Sequence, residues 1–307
     1  MGCPCQIVVL GGNHGLLGFG ENRVRQLEDS WTRFDSDSEL AEFNARPGRW
    51  SRVSPDLLDL LVRGVVGWRL SRGMFNPFLG EQIVTAGYGR DFAELTPADD
   101  GQHPDDLQAP PEQVDRASAN TWYERRARPS APLLIRRRQR LALIDSGIEF
   151  DSGGIGKGLG ADMVATALVS AGADGAMVSL GGDVRVAGSW PDEGWRIGIV
   201  DPVGHDSPEL SVLLRDGALC TSGTLKRRWR RDDGGVSHHI LNPRTGTSME
   251  PSDVVAVSAI AREGWRAEVL TKMVLLGGRA QAKRVLERQP DVAFLTWDRS
   301  GQRSVVQ

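Results

Sequence analysis

The sequence predicts a mixed fold, α+β or mixed α/β, with partly antiparallel sheets flanked by helices. Strand-like segments outnumber helix-like ones, hairpin signals join several of them, and no regular strand–helix–strand repetition runs along the chain. With 307 residues the chain can bury a sizeable core. No internal repeat divides it, so one large domain over 1–307 is expected, with 96–132 as an exposed excursion.

Ile7 to Leu10 reads as a short opening strand. Glu21 to Phe34 has helical spacing through Val24, Leu27, Trp31 and Phe34, and Asp35-Ser-Asp-Ser38 supplies cap chemistry before Glu39 to Phe43. A helix begins at Ser54-Pro-Asp: Ser54 can cap, Pro55 suits the first turn, and Leu57, Leu58, Leu61, Val65 and Trp68 form the stripe. Gly73 to Gly80 is turn-rich and apolar. The proline-rich, polar stretch 96–132 carries one short strand at Trp122-Tyr123. Strands follow at Leu141–Ile144 and Ile148–Phe150, then a helix from about Leu159 to Ala171. Ala176–Leu180 and Val184–Val186 flank a hairpin turn at Gly181-Gly-Asp183, and Trp195–Val200 is another strand. Val254–Ile260 is strand-like, Trp265–Leu276 and Gln281–Gln289 are helical, and Val292–Trp297 closes as a strand.

A formal charge of −3 excludes a global basic field for nucleic acid, so Arg136–Arg140 and Lys226–Arg231 read as solvated faces. No apolar run reaches the length of a membrane span, and no secretion signal is visible at the N-terminus, so the expected compartment is the cytoplasm. Three cysteines provide neither a disulfide framework nor a tetrahedral metal set. Basic residues are almost all arginine; lysine occurs only at 157, 226, 272 and 283, so a lysine marks a place for a compact point charge.

The most informative stretch is Asp151-Ser-Gly-Gly-Ile-Gly-Lys-Gly-Leu-Gly-Ala-Asp162. Glycines let backbone N–H groups approach an anion, and the helix behind points its positive end at the same place. The segment therefore suits a phosphorylated ligand; a ligand-free strand-to-helix turn has the same composition. A Walker loop is excluded, because Asp151 stands where its first glycine belongs and Gly158 replaces its hydroxyl. Alternating glycines in mid-chain also exclude a dinucleotide fingerprint. A second dense region comprises Cys220-Thr-Ser-Gly-Thr224, read as a turn with two hydroxyls, and His238-His-Ile-Leu-Asn-Pro-Arg-Thr-Gly246. Each is compatible with a purely structural role.

Seven motifs in order point further: Phe34-Asp-Ser-Asp-Ser-Glu-Leu-Ala-Glu-Phe-Asn44, Gly73-Met-Phe-Asn-Pro77, the glycine loop with Asp162, Leu180-Gly-Gly-Asp-Val184, Thr221-Ser-Gly223, His239-Ile-Leu-Asn-Pro-Arg-Thr-Gly246 and Ala267-Glu-Val-Leu-Thr-Lys272. Together they resemble the ApbE family of FAD:protein FMN transferases over nearly the whole chain. The resemblance implies an enzyme that cleaves the FAD pyrophosphate, joins FMN by a phosphoester to a Thr or Ser of an acceptor flavoprotein and releases AMP, with Mg2+ at the pyrophosphate. Two other readings stay open at this point: an FAD pyrophosphatase, and a non-catalytic flavin-binding protein.

By the same resemblance, Phe34, Met74, Phe75, Asn76, Asp151, Lys157, Ser222, Gly223 and Leu241 are expected to contact FAD. Gly154, Glu268 and Thr271 are expected at the metal, and His239 is expected to serve as general base or to orient the nucleophile. The chain departs from its relatives at several of these places. Lys272 stands where they carry a threonine ligand, and a protonated lysine has no lone pair for a cation. Glu268 stands for their aspartate, while Asn242 and Phe78 replace their aspartate and threonine. Lys272 is therefore expected either to neutralise part of the pyrophosphate charge or to form a surface ion pair with Glu268.

Overall fold

The computed structural model describes residues 3–89, 130–202, 210–230, 234–250 and 252–307. The expected strand at Trp122-Tyr123, and the excursion at 96–132 up to residue 129, lie outside them. Strand β1 is Cys5–Leu10. Helix α1, Gly15–Trp31, starts before the expected Glu21, because the Asn13 side chain accepts the Gly15 N–H at 2.8 Å. It stops short of Phe34, whose N–H turns to the Thr32 hydroxyl at 3.2 Å. Helix α2, Glu39–Asn44, is capped by Ser38, which accepts from the Ala41 N–H. After β2, Ser51–Arg52, helix α3 spans Pro55–Leu70 with the expected Ser54 cap and early proline. Leu57, Leu60, Leu61, Val65 and Trp68 are buried along it. The periodicity did not reveal the short helix α4, Gly80–Thr85.

Strands β3, Leu133–Arg136, and β4, Leu141–Ile144, follow. No strand forms at Ile148–Phe150. The Asn44 side chain takes both backbone groups of Phe150, at 2.9 and 3.0 Å, and the Glu149 carbonyl accepts from Gly80 N–H, so this extended run pairs with no neighbouring strand. Helix α5, Gly156–Ser170, begins within the glycine loop rather than at Leu159. β5, Gly175–Leu180, and β6, Asp183–Gly188, form the expected hairpin. Its turn is Gly181-Gly182, both at positive φ (60° and 88°), which a side chain would strain.

Strands β7, Trp195–Ile199, and β8, Leu210–Leu214, pair with each other. The segment read as a Thr-Ser-Gly turn is instead the end of β9, Gly217–Gly223, bonded along β12, Ala256–Ala261. Its small residues suit a strand buried on both faces. Strands β10, Arg228–Arg230, and β11, Val236–His238, form a small ribbon. Helix α6 runs Gly264–Leu286 with a break at Gly278 (φ 65°), which explains the two helices expected there. Asp253 occupies the space a Gly278 side chain would need and accepts the Arg279 N–H at 3.3 Å. β13, Ala293–Trp297, and β14, Arg303–Val306, complete the chain.

These elements form two compact units. The first comprises Met1–Ser30, Gly153–Gly223 and Ser252–Gln307. Its antiparallel sheet runs β1-β5-β6-β9-β12-β13-β14. Helix α5 packs on β5 and β6, α6 on β9 and β12, and the two helices pack on each other. Val164, Leu168, Val178, Val186, Val257 and Leu270 are buried in this unit. The second comprises Trp31–Ser152 and Thr224–Pro251, with the sheet β2-β4-β3 and the β10–β11 ribbon. Phe150 lies edge-on to Phe78 at 5.8 Å and close against α3 at Gly64, where a Cβ would lie 2.5 Å from its ring.

Candidate functional site

The candidate residues fall into both units, and the glycine loop is divided between them, with Asp151 and Ser152 in the second and residues from Gly153 in the first. In the first unit, α5 and α6 approach most closely at two glycines. A Cβ on Gly158 would lie 2.4 Å from the Gly264 carbonyl oxygen. That approach lets Glu268 reach across from α6: its Oε2 accepts the Gly158 N–H at 2.8 Å. Its Oε1 accepts from the Lys157 ammonium at 3.1 Å and the Lys272 ammonium at 3.2 Å. Lys157 also pairs with Asp183, the first residue after the hairpin turn. The second Asp183 oxygen accepts the Thr221 N–H at 3.0 Å.

Burial sorts these charges by sign. The carboxylates of Asp183 and Glu268 are 1% and 0% exposed, whereas the Lys157 and Lys272 side chains keep 17% and 11%. Burial opposes the Lys157 charge, but Asp183 and Glu268 outweigh it and raise its pKa above the usual lysine value. Burial likewise pushes Glu268 toward protonation, yet Lys157, Lys272 and the Gly158 N–H hold its pKa below the ordinary carboxylate value. For Asp183 burial dominates and raises the pKa, with Lys157 opposing. Asp162 of α5 accepts the Gly264 and Trp265 N–H groups at 2.7 and 3.0 Å, placing an acceptor at the start of α6.

This donor set does not fit the divalent cation that the resemblance implies. Both Glu268 oxygens already accept from cationic or amide donors, and Lys272 brings a further positive charge. The Thr271 hydroxyl donates to the Glu268 carbonyl and shares a 2.7 Å bond with the Ser222 hydroxyl. Among the described residues, no group of three or more His, Cys, Asp or Glu side chains is placed to hold a metal. Gly154 lies in the turn just before α5, and Gly223 ends β9 opposite Ala256. Lys272 forms the expected pair with Glu268, but that pair lies on a buried carboxylate instead of at the surface.

In the second unit the candidates gather around two turns. The Ser71 hydroxyl accepts the Phe75 N–H at 3.0 Å, and Asn76 accepts the Phe78 N–H at 3.0 Å. Pro77 accepts the Asp151 N–H at 2.7 Å, so the 74–78 segment adjoins Asp151. Phe75 and Phe78 are buried, whereas Met74 and Asn76 are half-buried. Asp151 binds Arg33 at 3.1 Å, and that guanidinium lies 4.4 Å from the Phe34 ring centre and 4.7 Å from that of Tyr88. Tyr88 stacks on Trp229 at 5.3 Å, and the indole N–H donates to Ala86 at 3.0 Å. Phe34 is 43% exposed, which suits a ring offered to a ligand. Sequence reasoning missed Arg33, Tyr88 and Trp229 here. Their positions in the chain carry no shared pattern that could have grouped them.

The two adjacent histidines differ. His238 is fully buried; its Nδ1 accepts the Ile240 N–H at 3.2 Å and its Nε2 faces the Met249 carbonyl at 3.1 Å. Burial lowers its pKa to about 4, with Arg228 adding to the effect and the Met249 bond opposing it. His238 therefore stays neutral and holds the loop together. His239 is half-buried and begins a tight turn in which Leu241 bridges Ser248. The Asn242 carbonyl accepts from Gly246 at 2.9 Å, and its side chain accepts the Arg244 N–H at 3.0 Å. Asn242 thus acts as a turn-former.

Comparison with known proteins shows the family of the chain. The family model described as ApbE matches residues 1–296. A protein named FAD:protein FMN transferase from Treponema pallidum (strain Nichols) is 32% identical over 271 residues, covering 84% of this chain and 70% of its own length. Another of that name from Klebsiella pneumoniae (strain 342) is 29% identical over 175 residues, 56% of this chain and 53% of the relative. The crystal structure of the ApbE protein of Thermotoga maritima shares the fold, with a TM-score of 0.78 at 24% identity over 97% of this chain and 91% of that one. On these grounds the chain belongs to the ApbE family.

Proposed function

We propose that the chain is an FAD:protein FMN transferase. The observation that carries this reading is the pair of partly exposed lysines, Lys157 of α5 and Lys272 of α6, set over buried carboxylates, in a chain related to proteins of that name. In this reaction the hydroxyl oxygen of an acceptor Thr or Ser attacks the FMN-side phosphorus of FAD. The bond from that phosphorus to the bridging oxygen breaks, AMP leaves with the bridging oxygen, and the hydroxyl proton passes to a base. Such chemistry depends mainly on positioning and on neutralising phosphate charge.

Lys157 is the cation for the diphosphate, and Phe34 with its neighbour Arg33 offers a face for a flat ring. Met74, Phe75, Asn76, Asp151, Ser222, Gly223 and Leu241 complete the proposed FAD-binding set. His239 is the proposed base, because a neutral imidazole can accept the hydroxyl proton.

The test mixes purified protein, FAD, excess magnesium and an acceptor bearing a target Thr. Covalent flavin is read as in-gel fluorescence after denaturation. Labelling by the native protein, lost in His239→Ala, is the expected result. Full labelling by that variant removes His239 from the mechanism, and release of FMN and AMP with no labelled acceptor would mean that water is the nucleophile.

A further inference from the structure

The charge cluster of the first unit has a polarity that a cation site lacks. Its negative groups are inside and saturated: each oxygen of Asp183 and Glu268 accepts at least one hydrogen bond. Its positive groups are the ones that reach solvent. An ammonium has three donors. Lys157 uses two of them, on Asp183 and Glu268, and Lys272 uses one, on Glu268, so one donor on Lys157 and two on Lys272 are left for an incoming ligand. Glu268 Oε1 bonds both ammonium groups, which fixes the two charges side by side.

A divalent cation entering here would meet two ammonium ions and no carboxylate oxygen free of a donor. An anion with oxygens on two adjacent phosphorus atoms would meet donors on both lysines. We propose that Lys157 and Lys272, bridged by the buried Glu268 carboxylate, bind a diphosphate directly, so that this member of the family neutralises its substrate without a divalent metal. The inference rests on the proposed flavin reading only for the identity of the substrate, since the cluster would take any diphosphate of suitable reach.

The test is calorimetric titration of the full chain with inorganic diphosphate and, separately, with FAD, in EDTA and then in magnesium. Binding of diphosphate in EDTA, weakened ~10–100-fold in Lys272→Gln as expected for a lost charged hydrogen bond, supports the proposal. Lys272→Gln keeps a donor of similar length and leaves Glu268 paired with Lys157 and the Gly158 N–H, and its fold is checked by thermal melting. If the native protein binds diphosphate only with magnesium, or if Lys272→Gln binds as tightly as the native chain, the proposal is overturned. Metal-free binding of diphosphate but not of FAD would sink the flavin reading while upholding the lysine pair.

Discussion

In the first unit, four charged side chains form one cluster that includes the Glu268 carboxylate, which has no exposed surface, and each is defined by its partners. In the second, Phe34 and Tyr88 share the Arg33 guanidinium, and Phe34 stays largely open to solvent. Taking a charge out of water is costly unless it is paired, so the ionic cluster is tied to the stability of the helices that carry it. An exposed ring on a guanidinium carries little such cost, so it can serve a ligand without holding up the core. The comparison separates residues that can be changed freely from those that cannot.

The largest effect should come from Glu268→Leu, which leaves Lys157 and Lys272 without their shared counterion. Unfolding in urea should show a loss of about 3–5 kcal/mol, as when one partner of a buried pair is removed. A loss below about 1 kcal/mol would mean the pair is solvated and only weakly coupled to the fold. Gly158→Ala comes next, because the new methyl would press on the Gly264 carbonyl at the α5–α6 crossing. A cost of about 1–3 kcal/mol is expected from overpacking of this kind, read as a lowered melting midpoint.

One group from each unit, His238 and Asp162, responds to acid with opposite sign. His238 is neutral in the fold down to a pKa of about 4, while its unfolded value is near 6.5, so the unfolded chain binds the extra proton first. Stability from His238 is complete above pH 6.5 and is lost as pH falls toward 4. Asp162 runs the other way: burial raises its pKa to about 6, against the Gly264 and Trp265 bonds and Arg185, so its contribution grows as pH falls from 6 toward 3.8. Melting midpoints followed from pH 7 to 4 should fall less steeply in His238→Gln and more steeply in Asp162→Asn. Parallel curves for the native chain and both variants would remove these two groups from the acid response. The smallest stability effect is expected for Phe34→Ala, within about 0.5 kcal/mol in unfolding. Its FAD affinity should nevertheless fall by about 0.5–1.5 kcal/mol if the ring stacks on the ligand, as a flavin fluorescence titration would show.

Much of this architecture was legible because the signals are short-range. The Ser54 cap with Pro55, the Gly181-Gly182 hairpin and the break between the two halves of α6 each depend on residues a few positions apart. The failures were of another kind. Ile148–Phe150 has strand composition, but Asn44 and Gly80, far away in the chain, take its backbone groups. Thr221-Ser-Gly223 has turn composition, yet pairing with β12 makes it strand. Of the candidate site, Lys157, Glu268 and Lys272 were all named from the sequence, while Asp183 was read as part of a hairpin and of one ordered motif but not as a site residue, and Arg33, Tyr88 and Trp229 were not singled out.

By itself the sequence determined the class of fold, the Ser54-capped start of α3, the glycine-rich entry to α5 and the family, since periodicity, cap chemistry and ordered motifs are written in neighbouring residues. Beyond the Lys272–Glu268 pair, only the tertiary structure decided which charges meet. Lys157 takes one carboxylate 26 positions away and another 111 away, and the approach of Gly158 to Gly264 makes the second possible. Spacing along a chain cannot express such a meeting, because the energy of a charge depends on what surrounds it in space and on how little water reaches it.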